Sequence, residues 1–411
     1  MNVFSGNKAV FLRAAASLAI AAGMGAGMLS AQATPDVLVL ANGDTLHGKL
    51  VNSIGGNVTF HSDMVGDLTV GWDKIKELHS SQKFAIIPKG VELQGKKKAS
   101  QVPVGTVDVA DKAVTVTGQN APSAPIPVGE AAFIVDEPTV DKLLHHEPSF
   151  LQGWNGAATA GASVVNASQN QYTVNAGVGL VRTVPNVPWL SPRNRTAINF
   201  AESYGKITQP SYVAPANPPT TTTPTVEPAV VTKSSIMHAD AERDWYVSPR
   251  AYVLAQVAFD HNYAQDLDLQ QIYGGGFGYT LIKTPKQQLD AKGTVQYEKQ
   301  SFSGTAATET TPYVPGTTNN LISSTFGASY LYHSKFFNFT QGVSFIPAWN
   351  QTDAWSFAET NMVSFPTYKN LSFSLGTLDT YLNDVPVAYP PTQNNSFQFT
   401  MGVTYAIKSK Y

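Results

Sequence analysis

From about residue 152 onward the chain repeats one pattern, long stretches in which apolar and polar side chains alternate with a period of two. The last, 396–408, is the clearest. Phe397, Phe399, Met401, Val403, Tyr405 and Ile407 share one face, and Ser396, Gln398, Thr400, Gly402, Thr404 and Lys408 share the other, with Ala406 the only apolar residue among them. Leu289, Ala291, Gly293, Val295 and Tyr297 alternate with Asp290, Lys292, Thr294, Gln296 and Glu298 in the same way. Ala251 to Phe259 and Tyr172 to Leu180 add two further apolar faces. Such segments fold only where each strand hides one face. The hiding medium is either a second protein layer or lipid.

Counting these segments predicts about twelve strands, near 152–165, 170–183, 194–206, 234–247, 249–262, 270–283, 287–302, 320–333, 336–349, 354–366, 369–382 and 395–408. Their connections alternate in kind. Long ones run over 207–233, 304–319 and 384–394. Mostly short ones fall at Val247-Ser248-Pro249, Thr284-Pro285-Lys286, His333-Ser334-Lys335 and Phe365-Pro366-Thr367, with 185–192 the longer exception. Short turns at one end and long loops at the other are the pattern of outer-membrane barrels, and strands near the length that crosses a bilayer agree with it. An even strand number leaves both ends of the barrel on one side. Trp154, Trp189, Trp245, Tyr246, Trp349 and Trp355 fall near strand ends, where an interfacial girdle is expected.

Charged residues make up only 14% of the chain, against about 25% in soluble domains, and the net charge is −2. A near-neutral chain without basic clustering is not built for nucleic acid. With no cysteine, a lipid anchor on a processed Cys, disulfides and thiolate metal sites are all excluded. Lys8 and Arg13, the apolar run 14–29 and Ala31-Gln32-Ala33 form a secretory signal over 1–33, with cleavage expected before Thr34.

Residues 34–135 read as a small periplasmic β domain of two copies, with 37–49 aligning on 84–96. Asn42-Gly43 and Lys89-Gly90 supply the tight turn of each hairpin, and closing strands lie near Ile75 and Phe133. Two SH3-like barrels, or one merged pair, are expected. Lys96-Lys97-Lys98 reads as a solvated loop. A linker over 136–150 holds a short helix, capped by Asp136 and ending near His145-His146. Residues 151–411 form the barrel.

Within the barrel, the polar face of the fourth strand presents His238, Asp240, Glu242 and Asp244, and that of the seventh Asp290, Lys292 and Glu298. These are the candidate lumen-facing residues, with Arg195, Glu359 and Asp379 as further ones. They either screen a permeating solute or fill the interior with ion pairs. Arg243 shares a face with Met237, Ala239, Ala241 and Trp245, so it is expected low in its strand, reaching the interface, or at a bulge. An enzyme reading rests on His261 near Asp260 and Asp266, with no Gly-x-Ser-x-Gly elbow beside them. Gly274-Gly275-Gly276 lacks the helix and Lys-Ser/Thr of a phosphate loop and reads as close packing within a strand. The Pro/Thr-rich stretch 208–232 reads as a surface loop.

Trp154-Asn155-Gly156, Gly161 and Tyr273-Gly274-Gly275-Gly276-Phe277-Gly278-Tyr279 followed by a lysine-bearing turn resemble the YdiY-like family of salt-induced outer-membrane proteins, which carries a domain of unknown function. The likeness covers about 154–411. It departs where Val165-Asn166-Ala167-Ser168 replaces a Gly-Asn turn and where the loop at 210–232 is longer. The resemblance implies a Gram-negative outer-membrane location and transfers no catalytic residue.

The expected protein is therefore all-β, a twelve-stranded antiparallel transmembrane barrel behind a periplasmic β domain. It passes small polar solutes or stabilises the envelope under osmotic stress, without catalysis or cofactor. Its expected partners are outer-membrane lipid, the barrel-assembly machinery and possible peptidoglycan or envelope-protein contacts. The alternatives are an anchor that grips peptidoglycan or a complex through its periplasmic domain, and a barrel-embedded lipid-modifying enzyme.

Overall fold

The computed structural model describes residues 34–93, 101–122, 124–166, 170–209, 211–214, 225–227, 229–304, 307, 313–385 and 394–409. The expected signal segment, the Lys96-Lys97-Lys98 run and much of the Pro/Thr-rich loop lie outside the described residues.

The N-terminal sheet contains β1 (Asp36–Leu40), β2 (Thr45–Ile54), β3 (Asn57–Ser62), β4 (Gly66–Gly71), β5 (Ile75–Pro88), β6 (Val104–Ala110), β7 (Ala113–Gln119), β8 (Ile126–Pro127) and β9 (Ala131–Asp136). Their order is β4-β3-β2-β1-β5-β6-β7-β8, with β9 pairing both β2 and β5. The two sequence copies are thus not separate barrels; they merge through β5. Its first half pairs β1, with Val37 opposite His79, and its second half pairs β9, with Ile86 opposite Ile134. Leu38, Leu50, Phe60, Leu78, Phe84, Ile86, Val107 and Ile134 fill the shared core. Gly43 and Gly90 take the expected left-handed turns, at φ +92° and +78°. The copies diverge after Gly90, where the chain leaves the sheet toward the barrel. Helix α1 (Glu137–His145) follows β9 directly, with Asp136 accepting from the Thr139 amide at 3.1 Å.

The barrel strands are β10 (Trp154–Asn166), β11 (Asn170–Val184), β12 (Asn194–Gln209), β15 (Val230–Tyr246), β16 (Ala251–Asn262), β17 (Leu267–Lys283), β18 (Gln287–Phe302), β19 (Thr317–His333), β20 (Asn338–Pro347), β21 (Trp355–Tyr368), β22 (Leu371–Leu382) and β23 (Asn395–Ile407). A small hairpin, β13 (Tyr212–Ala214) with β14 (Thr225–Glu227), stands in the long connection between β12 and β15. The twelve strands close antiparallel, with β23 meeting β10 from Gly156 opposite Ile407 to Ala160 opposite Val403. Residues directly opposite one another share a face, so the exposed Phe397, Phe399, Met401, Val403 and Tyr405 fix which side is outward. Following the register round, Val178, Phe200, Val257, Phe277, Val295 and Phe326 join them outside. Arg195, His238, Asp240, Glu242, Asp244, Asp290, Lys292 and Glu298 point in, with many of the serines, threonines and glutamines. A closed wall that is apolar outside and polar inside is the architecture of transmembrane β-barrels. Among the described residues no helix is long and apolar enough to cross a membrane.

Three expectations need correction. The turn expected at Phe365-Pro366-Thr367 slides to Lys369-Asn370, because β21 continues to Tyr368 across a register shift after Pro366. Trp189 is not a girdle residue. It is buried with Leu190, Ala85, Ile87, Leu93, Val102, Val135 and Val140 in a core between the sheet, α1 and the 185–192 turn. Tyr246 also leaves the girdle, because its row faces inward, 5.3 Å from the Tyr252 ring.

That core fastens the sheet to one end of the barrel. The Leu93 amide donates to the Trp189 carbonyl at 3.0 Å, and the Ser191 amide donates to the Leu93 carbonyl at 2.9 Å. Next to it, Glu92 meets Lys283 Nζ, at the end of β17 where the β17–β18 turn begins, at 2.9 Å. Two separate turns of the rim are therefore held by adjacent residues. The N-terminal sheet lies against the short-turn end of the barrel, astride the β15–β16 turn.

Candidate functional site in the barrel interior

The inward charges are gathered on one arc, β12 to β18. Arg195, second residue of β12, is the hub. Its Nε donates to Asp244 Oδ2 at 2.6 Å and its Nη1 to Asp290 Oδ2 at 3.0 Å, while Glu242 lies 3.7 Å from Nη2. The Tyr252 ring lies beneath the guanidinium, 5.2 Å away. A glycine makes room for that ring. A Cβ at Gly278 would meet Tyr252 Cζ at 2.1 Å, so the glycine-rich run of β17 reflects close packing and not phosphate binding. Asp290 also accepts from Thr280 at 2.5 Å and from Gln288 at 2.7 Å. Lys292 joins this group by donating to Glu242 and, at 3.1 Å, to Gln256.

A second group stands further along β15. His238 is clamped between Asp260 at 2.5 Å and Asp240 at 2.8 Å, and Asn199 donates to Asp240 at 3.1 Å. Glu298, only 2% exposed, has no cation beside it among the described residues. It accepts from Ser323 at 2.9 Å, from Gln300 at 2.8 Å and from Gln270. Between them Gln256, Thr294, Gln296 and Thr325 form a neutral network. Sequence reasoning missed these amides and hydroxyls, although their alternation with Gly293, Val295 and Tyr297 already put Thr294 and Gln296 on the polar face.

The opposite arc is different. From β19 through β23 to β11 the inward residues include Ser329, Thr340, Ser344, Thr360, Ser374, Thr380, Thr400, Gln398 and Thr159, and among the described residues of these strands no inward one is an acid, lysine or arginine. Ser329, Thr340 and Thr360, and Asn199 on β12, are exposed although they point into the barrel, whereas Thr294, Gln296, Ser323 and Thr325 bury one another. The interior is therefore packed along β17, β18 and the first half of β19 and open beside Ser329, Thr340 and Thr360.

The candidate residues are thus sorted as follows. Glu242, Asp244, Asp290 and Lys292 meet at Arg195, His238 and Asp240 form a separate group, and Glu298 stands apart. Glu359 and Asp379 do not join them. They pair with each other on the outer face, in the row of Phe397, where Gln341 and Asn361 donate to Glu359 at 3.1 Å and 2.9 Å. The rim grouping round His261 is not assembled either. Asp260 turns inward to His238, while His261 lies on the outer face and its ring faces the Asp268 carbonyl at 2.8 Å.

No curated protein matches the chain. Among solved structures it is similar to the NanC porin, at 8% identity over 61% of this chain and 100% of that one, with a TM-score of 0.31. It is also similar to an outer membrane channel from Pseudomonas putida F1, at 10% identity over 64% of this chain and 98% of that one, TM-score 0.33. The translocator domain of the autotransporter NalP from Neisseria meningitidis gives 9% identity over 65% and 92%, TM-score 0.33. The fold assignment rests on the strand pairing itself. Residues 216–407 match the family described as "Protein of unknown function, DUF481", with which the YdiY-like resemblance of the sequence is consistent.

Proposed function

We propose that this protein is a non-enzymatic outer-membrane channel for small polar solutes, with its N-terminal sheet in the periplasm. The single observation that carries the reading is the divided interior, a fixed charged wall facing a hollow lined by hydroxyls. A wall of Ser and Thr offers donors and acceptors to hydroxylated or zwitterionic solutes without trapping them. The charged arc holds Asp240, Glu242, Asp244, Asp260, Asp290 and Glu298 against Arg195, Lys292 and His238. This excess of carboxylates favours cations. The apolar exterior supports lipid as the surrounding medium, which implies delivery by the barrel-assembly machinery.

Single-channel recording in planar bilayers tests this. Steady conductance with a reversal potential favouring cations is expected. A folded barrel that never conducts refutes it and leaves the second reading, an envelope anchor that contributes stability under osmotic stress. The seam at Leu93 supports that alternative, because it fastens the barrel to the domain that, in this reading, grips peptidoglycan or another envelope protein.

A further inference from the structure

One row of outer-face residues near the short-turn end interrupts the apolar wall. Arg182, Thr196 and Arg243 stand directly opposite one another on β11, β12 and β15. The strands run through this row without a bulge, so Arg243 sits low in its strand, three residues from the end of β15. With Glu147, Pro148 and Phe150 from the segment before β10, the three residues line a cleft of about 380 Å³.

The cleft is positively charged. Arg182 is only 3% exposed, and it donates to the carbonyls of Gln152 at 2.9 Å and Pro148 at 2.8 Å, with Phe150 against its guanidinium. Carbonyls satisfy the N–H groups but leave the charge uncompensated. Arg243 donates to Thr196 Oγ1 and forms no ion pair among the described residues. Glu147, the one acid in the lining, accepts from Asn194 at 3.2 Å and lies 3.6 Å from Arg193, a cation outside the cleft.

The surroundings are those of an interface. Phe150, Leu151, Trp245 and Val247 are all exposed about the cleft, Leu151 at 85%. Ala255 of β16 and Gly275 of β17 continue the row of Arg243, and away from the rim, on the same outer face, come Ala241 and Ala239 of β15. Bulk returns on either side at Ile198 and Phe200 and at Val257 and Tyr273. A shallow strip of small side chains therefore leads from the two guanidiniums up the lipid-facing wall.

We propose that this cleft binds a phospholipid of the periplasmic leaflet through its phosphodiester head group. Arg243 contacts the phosphate, and an acyl chain lies along Ala241, Ala239 and Ala255. Arg182, pinned by carbonyls, adds charge and holds the 147–152 segment as the rim. Guanidinium suits this role because it presents several donors to phosphate oxygens in a fixed fork. The proposal rests on the reading that the outer wall faces lipid, and is independent of whether the lumen conducts.

The test is native mass spectrometry of the delipidated mature chain in detergent, titrated separately with phosphatidylglycerol, inorganic phosphate and diacylglycerol. A single phosphatidylglycerol is expected to bind, about tenfold more weakly to R243Q, the loss of roughly one charge-assisted bond pair. Ala255→Trp, which obstructs the strip without altering charge, is expected to weaken binding as well. Inorganic phosphate as tight as the lipid would reduce the cleft to a free-ion site, and diacylglycerol as tight would reduce it to apolar contact; either overturns the proposal. So does equal affinity in R243Q. Heat-dependent gel migration reports the fold of each variant. Should R243Q fail to fold, R243K, which keeps the charge but not the fork, is expected to bind with intermediate affinity, and unchanged affinity in it and in Ala255→Trp overturns the site. A chain that stays folded and dispersed without detergent would instead overturn the membrane reading itself.

Discussion

Arg195→Gln is the most informative single change, because three carboxylates converge on one guanidinium. The Arg195 side chain is 16% exposed and its partner Asp244 1%. Removing one member of a buried ion pair leaves the other charge without compensation, which costs about 3–5 kcal/mol. Two features of the site pull this figure in opposite directions. Asp290 keeps its bonds from Thr280 and Gln288, and the hollow side of the lumen admits water, so part of the lost stabilisation is recovered. Asp244 Oδ1 has no hydrogen-bond partner among the described residues even with Arg195 present, so that carboxylate loses its main compensation. A loss of about 3 kcal/mol is therefore expected, read as the urea midpoint of the barrel folded into lipid vesicles. The same variant removes one of the few inward cations, so its reversal potential is expected to move toward cations. Adding Asp244→Asn is expected to restore part of the stability, with a coupling of about 1–3 kcal/mol in the double-mutant cycle. An unchanged midpoint in Arg195→Gln, together with unchanged selectivity, would refute the view that this cluster holds the charged wall in place.

Other consequences are simpler to state. Gly278→Leu forces a side chain into the Tyr252 ring and is expected to destabilise the barrel by about 1–3 kcal/mol, whereas Gly293→Ala, which meets nothing within 4 Å, is expected to be tolerated; thermal unfolding compares them. Val295→Arg places a charge on the lipid face and is expected to cost about 2–4 kcal/mol if that residue lies near the bilayer midplane, again by urea titration in vesicles. Trp189→Ala opens the seam core, a truncation that costs about 3–5 kcal/mol locally, so limited proteolysis is expected to release the N-terminal sheet faster while the barrel survives. Lys292→Gln leaves Glu242 with Arg195 as its remaining cation and is expected to raise cation selectivity with little change in stability, since its side chain is already 31% exposed.

Much of the barrel is legible because period-two alternation is a local signal. The closing strand is readable from 396–408 alone, and the exposure of its apolar residues confirms which face is out. The turn chemistry at Gly43 and Gly90 was likewise readable, since only a left-handed turn fits there. What alternation cannot supply is parity where both faces of a strand carry apolar residues. In β21, Phe357, Val363 and Phe365 stand on one face and Ala358 and Met362 on the other, so Glu359 and Asp379 were assigned to the wrong side. Contacts between distant turns are equally hidden. Nothing near Leu93 or Trp189 announces that they meet, because each segment alone has only the look of a connection. Which charges meet at Arg195 depends on the tilt of five neighbouring strands, a property of the closed wall and not of any one of them.

The shared strand β5 has a consequence for how this chain can change. Because Ile75–Pro88 pairs β1 with its first half and β9 with its second, neither half of the sheet has a full set of neighbours without the other. A deletion of the second copy strips β9 from both β5 and β2 and so exposes the interior of the first. An insertion within β5 would slide one copy's register against the other and turn buried residues such as Leu78 or Ile86 toward water. Neither half of the sheet is therefore expected to fold without the other, whereas longer loops or altered hairpin turns leave the shared strand intact.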